Sequence, residues 1–325
     1  MFKKIINSIL FCLCCLAAEI SDASKELLLE RAACNNDKNT VVQLLKAGLR
    51  PEALTRVLAK QVLDGRVDMA KFILESGAKI DLTMSVFMGK RALTYAIDSG
   101  MDIEFIQLLI KSGSVNWNWP RYKNECLHEA MCASVDLDRI DAVSLLINNG
   151  YNNKPGWSIP TGFRFKNIEI LKLLIPVLSQ ENKDAALYCS VSNGDINIVE
   201  LLLNSGADVN SMAKKGSSPL VANFMHCRSS NGLEIAKLLI NAGADINFVR
   251  RSLGGQHQSV LFYACLTPAF LKLLLSQPNI ETEHKNKILI FGIEQELTVY
   301  QYAVRMNYTE AIRIFDEYYL NKLKQ

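Results

Sequence analysis

The sequence predicts an all-α solenoid of helix-turn-helix units with projecting loops, and three observations carry that prediction. First, Leu-Leu-Leu-Asn-Ser-Gly-Ala-Asp-Val-Asn at Leu201 to Asn210 returns as Leu-Leu-Ile-Asn-Ala-Gly-Ala-Asp-Ile-Asn at Leu238 to Asn247. A chain that repeats itself in this way is a row of small units. Second, weaker copies at residues 42–48, 72–81, 108–113 and 145–150 lie upstream, and Gly48, Gly77, Gly113, Gly150, Gly206 and Gly243 are 29, 36, 37, 56 and 37 residues apart. The long gap fits two units of 28 around Leu178, so the period is about 33 residues, with insertions and losses. Third, each Leu-Leu pair is preceded by a second signature, seen at Arg91 to Ala96, Glu125 to Ala130, Ser218 to Leu220, Ser259 to Ala264 and Thr298 to Ala303.

Local chemistry justifies each element. Glycine after the Leu-Leu stretch can adopt the left-handed conformation that ends a helix, which other residues reach only at a cost. Ile198 to Leu203 is too densely apolar for a helix with one covered face, so neighbours must cover it on two sides. The first helices, as in Ala92 to Ile97, place small alanines where a partner backbone approaches. Two irregularities stand out. Pro176 falls inside a second helix, where proline costs about 3 kcal/mol, so that helix is expected to stop or kink near Ile175. About four extra residues at Ser134 to Arg139 and again at Cys227 to Asn231 are expected to lengthen the turns of two units.

Together the Thr-Pro-Leu-His-like starts and the Gly-Ala-Asp-x-Asn endings resemble ankyrin repeats, over nearly the whole chain. The resemblance implies about nine degenerate units within residues 24–325, starting near 24, 53, 88, 121, 158, 183, 216, 257 and 297. It also implies binding of another protein through loops and the first-helix face, with no catalysis.

Residues 1–23 are of a different kind. Lys3 and Lys4 precede an apolar run from Ile5 to Ala18, with small residues at Ser21 and Ala23, which describes a signal-peptide-like leader cleaved after Ala23. The run is short for a membrane span. Membrane contact is therefore expected only through an uncleaved or lipidated N-terminus, the latter raised by Cys12, Cys14 and Cys15. An export-like leader before frayed repeats resembles exported ankyrin proteins of intracellular bacteria, so the chain is expected to be periplasmic or extracellular. Without cleavage it would be membrane-associated or cytoplasmic. Of the six cysteines beyond the leader, most are expected to be unpaired, because Cys189 and Cys265 occupy first-helix core positions and Cys34 lies near one.

Catalytic motifs do not assemble. His226-Cys227-Arg228 looks like the start of a tyrosine phosphatase loop, but the arginine needed six positions after the cysteine is Leu233. Cys126, His128 and Cys132 could be drawn as zinc ligands, yet 126 and 128 point to different sides of a helix. The ankyrin resemblance assigns His128 a structural hydrogen bond instead. No catalytic residue, metal, cofactor or small-molecule substrate is expected.

The functional signal lies in loops. Trp117, Trp119, Arg121, Tyr122 and Lys123 lie in one, and Trp157, Arg164 and Lys166 in the next, while Lys214, Lys215, Arg250 and Arg251 continue the basic character. Aromatic residues and arginine bring large contact area and a polar handle to interfaces, so these twelve are the candidate partner-binding residues. Competing readings are a nucleic acid or anionic membrane held by the basic loops, and a periplasmic inhibitor of another bacterial protein. A net charge of +3, from 36 basic and 33 acidic residues, supplies little field for the first.

Overall fold

Antiparallel helix pairs, each closed by a turn, account for most of the computed structural model. It describes residues 21–87, 89–113, 120–151, 167–212, 216–226, 230–251, 255–290 and 293–324. The chain divides into two units, Met1–Asn153 and Lys154–Gln325. In the first, α1 (Asp22–Cys34) pairs with α2 (Lys38–Lys46), α3 (Pro51–Leu63) with α4 (Val67–Glu75), α5 (Ala92–Asp98) with α6 (Ile103–Ser112) and α7 (Pro120–Asp136) with α8 (Ile140–Asn148). A two-stranded ribbon, β1 (Ser85–Phe87) and β2 (Lys90–Arg91), precedes α5.

The second unit holds α9 (Ile168–Leu174), then α10 (Gln180–Asn193) with α11 (Ile196–Asn204) and α12 (Pro219–His226) with α13 (Gly232–Asn241). Next come β3 (Val249–Arg251), β4 (His257–Ser259), α14 (Val260–Ala264), α15 (Pro268–Leu275), β5 (Asn286–Ile290), β6 (Ile293–Leu297), α16 (Val299–Arg305) and α17 (Thr309–Leu323). Within each unit the first helices contact first helices, as α10 with α12 and α12 with α14, and the second helices contact second helices, as α11 with α13 and α13 with α15. The core lies between these two layers. Alanines on the first helices, Ala96, Ala130, Ala222, Ala264 and Ala303, are buried there.

The repeated phrase is a helix stop followed by a bridge. Gly206 and Gly243 sit at φ 81° and 89°. Their N–H groups donate to Leu203 and Ile240, while Ala207 and Ala244 donate to Leu202 and Leu239, the double bond of a Schellman cap. Gly113 departs from this pattern: at φ −53° its backbone is not left-handed, and it forms a parallel bridge with Ile80 instead. Directly after each cap alanine, Asp208 and Asp245 accept the N–H of Asn210 and Asn247 at 2.9 Å, which turns the chain outward.

The asparagine side chains then cross to the next unit of the stack. Asn210 Nδ2 donates to Gly243 O (3.0 Å) and its Oδ1 accepts from Asp245 N (2.8 Å). Asn247 does the same with Asn279 O (2.7 Å) and Glu281 N (2.9 Å). An amide side chain has one donor edge and one acceptor edge, so it can pair with a backbone as another backbone would.

Irregularities resolve by local physics. α9 ends at Leu174 and Ile175–Val177 tightens into a 3-10 turn, as the missing N–H of Pro176 requires. The extra residues at Ser134 to Arg139 do not lengthen the turn: α7 continues to Asp136, with Ser134 Oγ bonded to Ala130 O, and the turn is only Leu137 to Arg139. Of the other insertion, Cys227 to Ser229 lie outside the described residues. Loops expected only to project form a four-stranded antiparallel sheet in the order β3-β4-β5-β6.

The described cysteines 34, 126, 132 and 265 are free thiols, and Cys227 lies outside the described residues. Burial pushes Cys126, Cys132 and Cys265 up to about 11. Replacing Asn247 with Ala removes both bridging bonds and should lower stability by about 1–2 kcal/mol, read as a lower urea midpoint. Asn247→Asp, which keeps the acceptor and loses the donor, should fall between the two.

Candidate functional site

The sheet of the second unit builds the site. Its register is Val249 with Ser259, Arg250 with Gln258, Arg251 with His257, His257 with Lys287, and Asn286 to Ile290 with Leu297 to Ile293. Strand side chains alternate between faces. Ile288 and Ile290 are therefore buried while Leu289 between them is 58% exposed. Ser259 accepts from Phe262 N and caps α14, and Thr298 with Gln301 forms a capping box on α16, so both short helices start directly from the sheet.

Between the sheet and these two helices lies a hollow of about 360 Å³ lined by Gln256, Gln258, Phe262, Ile288, Leu289, Ile290, Tyr302 and Met306. Phe262 and Tyr302 pack at 4.8 Å between ring centroids, and Tyr302 meets the edge of Tyr308 at 5.8 Å. Burial, followed by the Tyr308 hydrogen bond, pushes the Tyr302 phenol up to about 12. At the rim, Tyr263 donates its hydroxyl to Gln258 Oε1 (2.6 Å) and accepts from Arg250 Nη1 (3.3 Å). Such a hollow can take an apolar side chain and offer amides to a backbone. It has no nucleophile paired with a base.

In the first unit the polar groups serve the stack. Asp22 with Arg50, Glu26 with Arg56 and Glu30 with Lys60 tie α1 to the start and body of α3, and Arg91 pairs with Glu125 and Glu129 on α7. Exposed pairs of this kind contribute little each. His128 Nδ1 meets Tyr151 Oη at 3.2 Å, and Cys126 Sγ turns away to Leu82 O at 3.4 Å. Among the described residues no cluster of three His, Cys, Asp or Glu could hold a metal ion, and no helix is long and apolar enough to cross a membrane.

Trp117, Trp119, Trp157, Arg164, Lys166, Lys214 and Lys215 lie outside the described residues. Arg121, Tyr122 and Lys123 fall in the first turn of α7, which starts at Pro120, and so not in a loop. Arg250 and Arg251 lie on β3. Arg250 is half-buried at the rim of the hollow and tied to Tyr263, while Arg251 is exposed opposite His257. Sequence reasoning missed Phe262, Ile288, Leu289, Ile290, Tyr302 and Met306. A partial signal was present: an apolar, β-branched run at Ile288 to Ile290 is followed by a Phe-Gly pair, a glycine-bearing turn after a strand-like segment.

The ankyrin repeat family model matches residues 182–214, which are α10, α11 and the bridge phrase that follows. No curated protein matches the chain. Among solved structures it is similar to the ankyrin repeat domain of Bcl-3, titled a unique member of the IkappaB protein family. That likeness has 18% identity, covers 76% of this chain and 97% of that one, and has a TM-score of 0.40. The matched segment is an ankyrin repeat, and α-helix pairs of the same kind recur in both units. Ankyrin repeats are protein-protein interaction modules.

A raised phenol pKa stabilises the fold only while the unfolded phenol is also protonated. The contribution of Tyr302 should be complete below pH about 10 and lost as pH rises toward about 12. Tyr302→Phe should flatten that loss in urea unfolding curves taken across this range.

Proposed function

We propose that the chain is a non-enzymatic protein that binds another protein through the sheet and first-helix hollow of its second unit. The hollow itself carries this reading. Phe262, Tyr302 and Met306 are half-exposed within it, and Leu289 and Ile293 stand 58% and 64% exposed on the hairpin. Large apolar side chains left open beside the hollow and on both faces of its hairpin favour a partner over bulk solvent. Arg250, through its bond to Tyr263, supplies part of the polar rim. The tryptophan-bearing loops around Trp119 and Trp157 belong to the same proposal as further contacts.

Export is part of this reading and rests on the basic-then-apolar leader at Lys3 to Ala18. The partner is then met outside the cytoplasm. It is a protein of the surrounding compartment or of a host.

Capture from source extracts by the mature chain, whose first residue this reading places at Ser24, tests both parts. Leu289→Asp changes an exposed side chain and should leave the urea midpoint unchanged. It should also reduce recovery of the captured protein about tenfold or more, as loss of a central apolar contact does. Full recovery with the variant would move the site elsewhere, and a mature chain that still begins at Met1 would remove export from the proposal.

A further inference from the structure

The outer edge of the sheet is unpaired, and its charge indicates what pairs with it. Val260 N donates to Phe248 O at 3.0 Å, so Gln256 and Gln258 turn their backbone groups toward β3 while His257 and Ser259 turn theirs toward β5. Consistent with this, Ser259 N reaches Asn286 Oδ1 at 2.6 Å and His257 pairs with Lys287. Alternation along β5 then commits Asn286, Ile288 and Ile290 to Leu297, Gln295 and Ile293 of β6. The N–H and C=O groups of Glu294 and Glu296 are left pointing outward, with no backbone partner among the described residues.

Both of those residues put an exposed carboxylate on the same face of the sheet. Lys287 pairs with Glu294 at 2.7 Å, so one cation on β5 stands against two acids on the edge. This arrangement opposes self-association. A second copy paired antiparallel about Gln295 would set Glu294 opposite Glu296 at both ends, and like charges directly opposite are destabilising. The other edge, β3, offers only Arg251 on that face, one cation for two carboxylates.

We propose that β6 accepts an extended segment of another protein as a fifth strand, and that this segment carries basic side chains two residues apart. Its backbone would pair with the outward groups of Glu294 and Glu296 and its cations would oppose the two carboxylates. The side chain between them would lie along Ile293, Gln295 and Leu297, on the face from which Ile288 and Ile290 line the hollow. This inference rests on the reading that the sheet meets a protein partner, and it names that partner's chemistry.

A short fluorescent peptide alternating lysine and valine, titrated by anisotropy, tests it. The protein should bind this peptide and should bind the peptide with glutamate in place of lysine about tenfold more weakly or less. Glu296→Pro removes an N–H that faces away from β5, a position where an edge strand tolerates proline, and should abolish binding with the sheet intact by circular dichroism. Reversal of both charges, Glu294→Lys with Glu296→Lys, should reverse the peptide preference and decides the matter if the proline variant does not fold. Equal affinity for both peptides, binding that survives Glu296→Pro in a folded protein, or self-association removed by Glu296→Pro would overturn the proposal. If Leu289→Asp abolishes partner capture while the peptides do not bind, the docking site stands and the added strand does not.

Discussion

A helix pair leaves the backbone of its connecting loop without partners, and in the most regular repeats of the second unit one amide side chain supplies them. Asn210 and Asn247 each give a donor to a carbonyl and an acceptor to an N–H of the loop that follows. Groups left unpaired would not destroy the fold, because the loops are exposed, but nothing else would fix the height of one loop against the next. Two bonds from one planar group set both distance and orientation. The Schellman caps at Gly206 and Gly243 aim the chain toward that point, and Asp208 and Asp245 turn it so that the asparagine faces its neighbour. In the first unit the same task falls to a backbone bond between Ile80 N and Ser112 O at 2.9 Å, with the Thr55 hydroxyl accepting Asp81 N at 2.7 Å.

Loops held in register can grow. Beyond Asn247 the connections lengthen into β3 to β6, and a third asparagine, Asn286, takes the bridging role from a fully buried position by accepting Ser259 N. The sheet then becomes a wall against which α14 and α16 place Phe262, Tyr302 and Met306. The surface proposed for recognition lies where the repeat is least regular. Its rigidity is borrowed from the regular part.

How much of this was legible in the sequence follows from the range of each interaction. Helix ends were readable because Gly206 and Gly243 act on their own last turns, and the stop at Leu174 because Pro176 acts on its own helix. The extension of α7 was not, since nothing local distinguishes a longer helix from a longer turn at Ser134 to Arg139. The sheet was partly legible: Ile288 to Ile290 followed by Phe-Gly reads as a strand and turn, but β3 and β4 are three residues each and hold their form by pairing with each other and, for β4, with β5. Arg250, expected in a projecting loop, lies on β3, and its tie to Tyr263, which in turn bonds Gln258, depends on strand pairing that sequence distance hides. The hollow draws on residues from 256 to 306, and no local window contains them.

Native-state hydrogen exchange at two amides tests the central claim most directly. If the asparagine bridges hold the loops in register, the N–H groups of Asp245 and Glu281, which donate to Asn210 and Asn247, should exchange far more slowly than exposed loop amides, and Asn247→Ala should release Glu281 while leaving Asp245 protected. Exchange of both amides in the unaltered protein at the rate of an unstructured chain would contradict the account.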